Sequence, residues 1–181
     1  MADVRLMTME ALEAGLAEIR RSPKDAGVLQ LIVRRPRSDE REVLETGELD
    51  PLEGLVGDSW RSRGGFDRAD PDLQLTLMNA RVISLVARAN DRWQLAGDQL
   101  YVDLDLSADN LPPGTRLALG SAVIEVTDEP HTGCKKFAAR FGLEALKFIS
   151  SPEGKQLQMR GIYARVVQPG VVRVGDIGKK M

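Results

Sequence analysis

The densest chemistry in the chain is the run Glu129-Pro130-His131-Thr132-Gly133-Cys134-Lys135-Lys136-Phe137, which holds the only histidine and the only cysteine of the 181 residues. Proline and glycine bracket a turn that delivers Cys134 to the start of a helix. A helix start presents unpaired N–H groups and a partial positive charge, and Lys135 and Lys136 add to that charge. These surroundings favour thiolate over thiol and make Cys134 a candidate reactive cysteine. The competing reading is a small buried hydrophobe, because Cys134 also continues the apolar stripe of its own helix. His131 either carries protons for that site or caps the helix start. A Cys-His dyad separated by three positions across a turn stays open on these residues.

Other chemistry is diffuse. From Arg160 to Met181 there are five bases against one acid, with Arg160 and Arg165 ahead of or inside the last strands. Such a patch suits phosphate, and a solvated face explains it equally. No G-x-x-x-x-G-K-[ST] and no G-x-G-x-x-G occurs, so the usual nucleotide cradles are absent from the sequence. Gly57-Asp58, Gly97-Asp98 and Gly175-Asp176 flank strand-like segments and read as turn chemistry.

Composition narrows the classes further. One cysteine makes no internal disulfide and no Cys-rich zinc site, and one histidine makes no His-pair metal motif. The formal net charge is −2, from 25 Lys and Arg against 27 Asp and Glu, which argues against nucleic acid as a partner. No apolar run approaches the roughly 20 residues of a membrane span. The opening MADVRLMTMEALEAG carries acids and no apolar core, so it does not read as a signal peptide, and the cytoplasm is the default compartment.

The elements that must position these residues follow from periodicity. Thr8 caps an expected helix through Leu12, Leu16 and Ile19 that ends at Ser22-Pro23. Val28 to Val33 reads as a strand. Glu42 to Asp58 holds six acids and no base and reads as a solvated connection with one short strand. Ser59 to Pro71 is a turn-rich, ligand-facing loop, and Leu73 to Ala89 reads as a strand leading into a helix. Gln99 to Leu106 alternates, with Leu100, Val102, Leu104 and Leu106 on one face and Tyr101, Asp103 and Asp105 on the other. Asn110 to Gly114 is a turn, and strands over Arg116–Leu119 and Ala122–Thr127 form a hairpin around Gly120-Ser121. Cys134, Phe137, Ala138, Phe141, Ala145, Phe148 and Ile149 then share one helical face. Ser151-Pro152-Glu153 opens a short helix. Gly161–Gln168 and Val171–Val174 make a final hairpin across Pro169-Gly170. This pattern predicts a mainly β, α+β fold, a barrel or sandwich with helical additions.

The order of several motifs carries a family resemblance. Gly54-Leu55-Val56-Gly57-Asp58 is followed by Arg63-Gly64-Gly65-Phe66-Asp67, Gly97-Asp98-Gln99-Leu100, and Asn110-Leu111-Pro112-Pro113-Gly114-Thr115. Then come Ile124-Glu125-Val126-Thr127, Cys134-Lys135-Lys136-Phe137 with Arg140-Phe141-Gly142, Arg160-Gly161-Ile162-Tyr163-Ala164-Arg165-Val166, and Val174-Gly175-Asp176. Across roughly Gly27 to Asp176 the chain resembles a stand-alone bacterial MOSC domain protein, a family named for the C-terminal domain of molybdenum cofactor sulfurase. One position departs: Arg63 precedes the Gly-Gly pair where many relatives have histidine.

The resemblance implies an antiparallel MOSC-type β-barrel with a few helices over 27–181, preceded by a helical extension over 1–26. It implies that Cys134 is the functional residue, either ligating molybdenum in the cofactor (molybdopterin) or carrying sulfur as a persulfide. Lys135, Asn110, Arg160, Arg165 and His131 are then the candidates to hold the pterin phosphate or shape the pocket. The implied activity is sulfur transfer or reduction of small N-hydroxylated compounds. A sulfur donor or electron-donor protein is the expected partner, because the sequence has no flavin, haem or iron–sulfur motif. Pyridoxal phosphate is not expected, since the sulfurase keeps it on a separate domain. A non-catalytic delivery module, or a barrel that has lost the cofactor, are the alternatives.

Overall fold

The computed structural model describes residues 5–63 and 69–181. The expected first helix is two: α1 (Met9–Ala14), capped by the Thr8 hydroxyl accepting from Ala11 N at 3.2 Å, and α2 (Leu16–Arg20). They break at Gly15, where any side chain would run into Leu85. Strand β1 (Ala26–Arg34) follows. The acidic connection then folds into three short strands rather than one: β2 (Glu42–Leu44), β3 (Thr46–Asp50) and β4 (Gly54–Leu55). The motif Arg63-Gly64-Gly65-Phe66-Asp67 runs mostly outside the described residues. Strand β5 (Leu75–Asn79) passes directly into α3 (Ala80–Ala87), because the Asn79 side chain accepts from Arg81 N and Val82 N and caps it.

A 3-10 segment (Asn90–Ala96) leads to β6 (Leu100–Val102), and β7 (Arg116–Leu119) and β8 (Ala122–Val126) form the expected hairpin. Helices α4 (Lys135–Phe141) and α5 (Leu143–Ser150) are separated by Gly142 at φ 96°. Ser151 caps α6 (Pro152–Gln156), accepting from Gly154 N at 3.0 Å. Strands β9 (Ile162–Gln168), β10 (Gly170–Arg173) and β11 (Ile177–Lys180) complete the chain.

Seven strands close on themselves in the order β1-β11-β7-β8-β9-β5-β6, with β2 added outside β1. The barrel is mixed, which corrects the expected antiparallel one: β5 and β6 run parallel, with Leu77 opposite Leu100 and Asn79 opposite Val102. Parallel neighbours need a long crossover, and α3 with the 3-10 segment provides it. The final hairpin is corrected as well. Both edges of β9 are occupied, by β5 and β8, so β10 leaves it at Pro169 and pairs with β3 in a separate three-stranded sheet with β4.

Two apolar layers result. The barrel interior holds Leu29, Ile32, Leu77, Leu100, Val102, Ile124 and Ala164, among others. The second layer lies between the barrel wall and the helices and includes Leu12, Ile19, Met78, Ile83, Tyr101, Phe137, Phe141 and Phe148. Tyr101, on the opposite face of β6 from Leu100 and Val102, is also 0% exposed, because β6 is covered on both faces. Among the described residues no helix is long and apolar enough to cross a membrane.

Gly161 is the tightest backbone position beside the site described below. It adopts φ +118°, and a Cβ there would lie 2.3 Å from the Leu77 carbonyl oxygen. Backbone cannot yield as a flexible side chain can, so Gly161→Ala is expected to destabilise the fold by about 3 kcal/mol. Chemical unfolding would read this, and an unchanged midpoint would contradict it.

Candidate functional site

Between the barrel wall and α4 lies a buried charge cluster. Asp98, just ahead of β6, is 0% exposed, and its Oδ2 accepts from Arg160 Nη1 at 2.6 Å. Arg160 Nη2 donates to the Ala96 carbonyl at 3.0 Å, and the guanidinium carbon sits 5.3 Å from the centre of the Phe137 ring. Burial opposes the charge on Arg160. The Asp98 carboxylate more than compensates, with smaller support from Tyr101 and Cys134, so its pKa is raised. The Tyr101 hydroxyl donates to the Trp93 carbonyl at 3.0 Å and accepts from Asp98 N at 3.2 Å.

A second buried pair braces the first. Arg35 Nε and Nη2 hold the two Asp58 oxygens at 3.0 and 2.9 Å, and Arg35 Nη1 donates to the Gly97 carbonyl at 2.9 Å. The Asp58 carboxylate also accepts from the backbone N–H groups of Arg35 and Trp60. This pair fixes the backbone immediately before Asp98. Arg63, near the same cluster, has its pKa lowered by burial and by the Arg35 charge.

Against the cluster lies a cavity of about 670 Å³, a volume typical of small-molecule pockets. The loop from Asp128 through Gly133 forms one wall, and Gln158, Arg160 and Gly161 form another. Leu111, Val126, Ile149 and Ile162 give it apolar surface, and Lys155 adds a cation. Cys134 follows Gly133 directly, exposed, as the residue preceding α4. It therefore does not join the buried stripe; Phe137, 1% exposed, is the first member to turn inward.

Several polar atoms at this site are buried without a hydrogen-bond partner: Asp98 Oδ1, His131 Nδ1, Gln158 Oε1 and Arg160 Nε. Buried polar atoms are rarely left so, and their concentration beside a cavity singles this place out as a candidate site. Gln158 also holds a positive φ of 48°, a strained backbone for a residue other than glycine.

Of the residues singled out from the sequence, His131 and Arg160 line the cavity, while Cys134 follows its wall residue Gly133 in the chain and is exposed. Lys135 is exposed as the first residue of α4, adjacent to Cys134 in the chain. Asn110 and Arg165 do not line the cavity. The Asn110 amide donates to the carbonyls of Lys24 and Asp105 and accepts from Lys180 Nζ, tying together chain segments ahead of β1, after β6 and in β11. Arg165 pairs with Glu125 at 2.7 Å and Asp72 at 3.5 Å on the surface. Asp98, Arg35 and Asp58 were missed as site residues, because two of the three Gly-Asp pairs are more than turns. Gly175-Asp176 is a turn, with Asp176 accepting from Arg173 N at 2.7 Å.

A model of the MOSC domain family matches residues 86–177, just over half of the chain, and the chain belongs to that family. Solved structures with the same fold include the YuaD protein of Bacillus subtilis, 14% identical, with a TM-score of 0.60 over 86% of this chain and 97% of that one. YiiM from Escherichia coli is 19% identical, with a TM-score of 0.55 over 85% of this chain and 69% of that one. YiiM from Geobacillus stearothermophilus is 16% identical, with a TM-score of 0.53 over 87% and 73%. No curated protein matches the sequence.

Burial lowers the pKa of His131 from 6.5 to about 4; Asp98 pulls it up, while Arg160 and Arg35 push it down. The folded protein thus binds this proton more weakly than the unfolded chain. The resulting stabilisation is complete above about pH 6.5 and is lost as the pH falls through 4. Urea unfolding of wild type should lose up to about 3 kcal/mol more than His131→Gln between pH 7 and 4. Parallel pH profiles for the two proteins would contradict this.

Proposed function

We propose that this chain binds molybdenum cofactor in the cavity beside Cys134, with the Cys134 thiolate as a ligand of the metal. The observation that supports it most is the cavity whose wall, Asp128 to Gly133, runs into that exposed thiol. The residues present fit the group. A pterin has flat faces suited to Leu111, Val126, Ile149 and Ile162, and polar edges suited to the unpartnered Gln158 Oε1 and Arg160 Nε. Lys155, exposed in α6, is a cation available to a phosphate.

Among the described residues no three His, Cys, Asp or Glu side chains converge as a metal site. A metal carried inside an organic cofactor does not need such a group, because one soft thiolate from the protein suffices to anchor it. When bound, the cofactor supplies a two-electron redox metal. Arg160 brings positive charge to the cavity wall, and the apolar walls limit water around the bound group. Lys135, the exposed first residue of α4, adds positive charge next to Cys134 in the chain. Asn110 and Arg165, each paired elsewhere, act on the scaffold. The activity we infer is reduction of small N-hydroxylated compounds, with electrons from a partner protein.

A second reading, sulfur carriage by Cys134 as a persulfide, is favoured by the exposure of that thiol, since handing sulfur to a partner requires access to it. One experiment separates the two. Molybdenum and pterin are measured in the protein purified from a cofactor-producing host, beside Cys134→Ala. Near-stoichiometric molybdenum in wild type, lost in the variant, is the expected result. Equal metal in both would remove Cys134 from the ligand role, and no metal in either, with persulfide on Cys134, would favour carriage.

A further inference from the structure

One wall of the cavity carries a nitrogen base, the His131 imidazole. His131 Nδ1 lies 3.6 Å from Asp98 Oδ1, and neither atom has another partner. The gap is too short to hold a water between them and slightly too long for a hydrogen bond, so only a small closing movement separates the pair from one. Asp98 Oδ2 is already committed to Arg160. Two lone pairs facing each other in the protein interior would repel, so the proton belongs on Nδ1. The ring is held for that contact by Gly161, where a Cβ would lie 3.2 Å from Nδ1, and by Tyr163, whose ring centre is 4.7 Å away. The same imidazole lines the cavity.

We propose that Asp98 fixes His131 as its Nδ1–H tautomer, leaving Nε2 bare as a hydrogen-bond acceptor for an N–H or O–H group of the cavity ligand. Asp98 acts here as a positioning residue, and the histidine makes the contact. The acceptor role rests on reading the cavity as a ligand site; the tautomer does not. Burial keeps the ring neutral at pH 7, the state in which one nitrogen donates and the other accepts. A ligand that offers only acceptors on that side would meet a lone pair and be rejected.

Asp98→Asn gives a specific outcome. The Arg160 guanidinium can only donate, so the asparagine carbonyl must take its place opposite Arg160. The amide NH2 then faces His131 Nδ1, and the tautomer inverts to Nε2–H, the effect expected when a histidine loses its orienting carboxylate.

Because His131 is the only histidine, imidazole 15N spectra of the cofactor-free protein report on it alone. The expected wild-type spectrum at pH 7 shows protonated Nδ1 and bare Nε2, with the two exchanged in Asp98→Asn. Diethyl pyrocarbonate, which needs a reachable bare nitrogen, should modify the wild type and spare the variant. An Nε2–H tautomer or an imidazolium in wild type would overturn the proposal, as would a folded Asp98→Asn with an unchanged tautomer or an unmodified wild type. If the variant fails to fold, the wild-type spectrum and modification decide. Failure to bind molybdenum cofactor would count against the proposed function and leave the tautomer assignment standing.

Discussion

The buried Asp98–Arg160 ion pair is the constraint on which the site depends. Neither residue can lose its partner without stranding a charge between the barrel wall and the helical layer, a loss that typically costs several kcal/mol. Each is also bound to its surroundings. Arg160 reaches the Ala96 carbonyl and packs on Phe137, while the Asp98 backbone N–H is held by Tyr101. One contact therefore joins the approach to β6, the segment ahead of β9 and the first turn of α4. Arg35, with Asp58, clamps the same backbone through the Gly97 carbonyl.

The mixed barrel is what brings these pieces together. The crossover between β5 and β6 carries α3 and the 3-10 segment across the outside of the barrel, so the loop ending in Gly97 returns under the helical layer. Short β6 is then apolar on both sides. Leu100 and Val102 face the barrel interior, while Tyr101 faces the helices and contributes its hydroxyl to the cluster. α4 and α5, broken at Gly142, cover that layer and leave Cys134 at its rim beside the cavity.

Local chemistry was legible in the sequence. Thr8, Asn79 and Ser151 each cap a helix with a side-chain oxygen, although only Thr8 and Ser151 were read as caps, and Gly120-Ser121 turns a hairpin. These depend on residues within a few positions of one another. The missed features are long-range. Arg160 and Asp98 lie 62 positions apart, and Arg35 and Asp58 lie 23 apart, so a Gly-Asp turn carries no sign of whether its carboxylate will be paired in the interior. The partner of β10 was illegible for the same reason, since Pro169-Gly170 looks like a hairpin turn until β5 and β8 have taken both edges of β9. Cys134 was placed correctly before a helix, but its apolar spacing suggested burial that its position ahead of the first turn does not give.

The measurement that tests this account most directly is X-ray absorption at the molybdenum edge, on protein loaded with cofactor, for wild type and Cys134→Ser. The account predicts one sulfur neighbour of the metal fewer in the variant, with a lighter atom in its place. The same sulfur count in both proteins would contradict it, because the metal would then be held without the thiol that the Pro130–Gly133 loop delivers to the cavity.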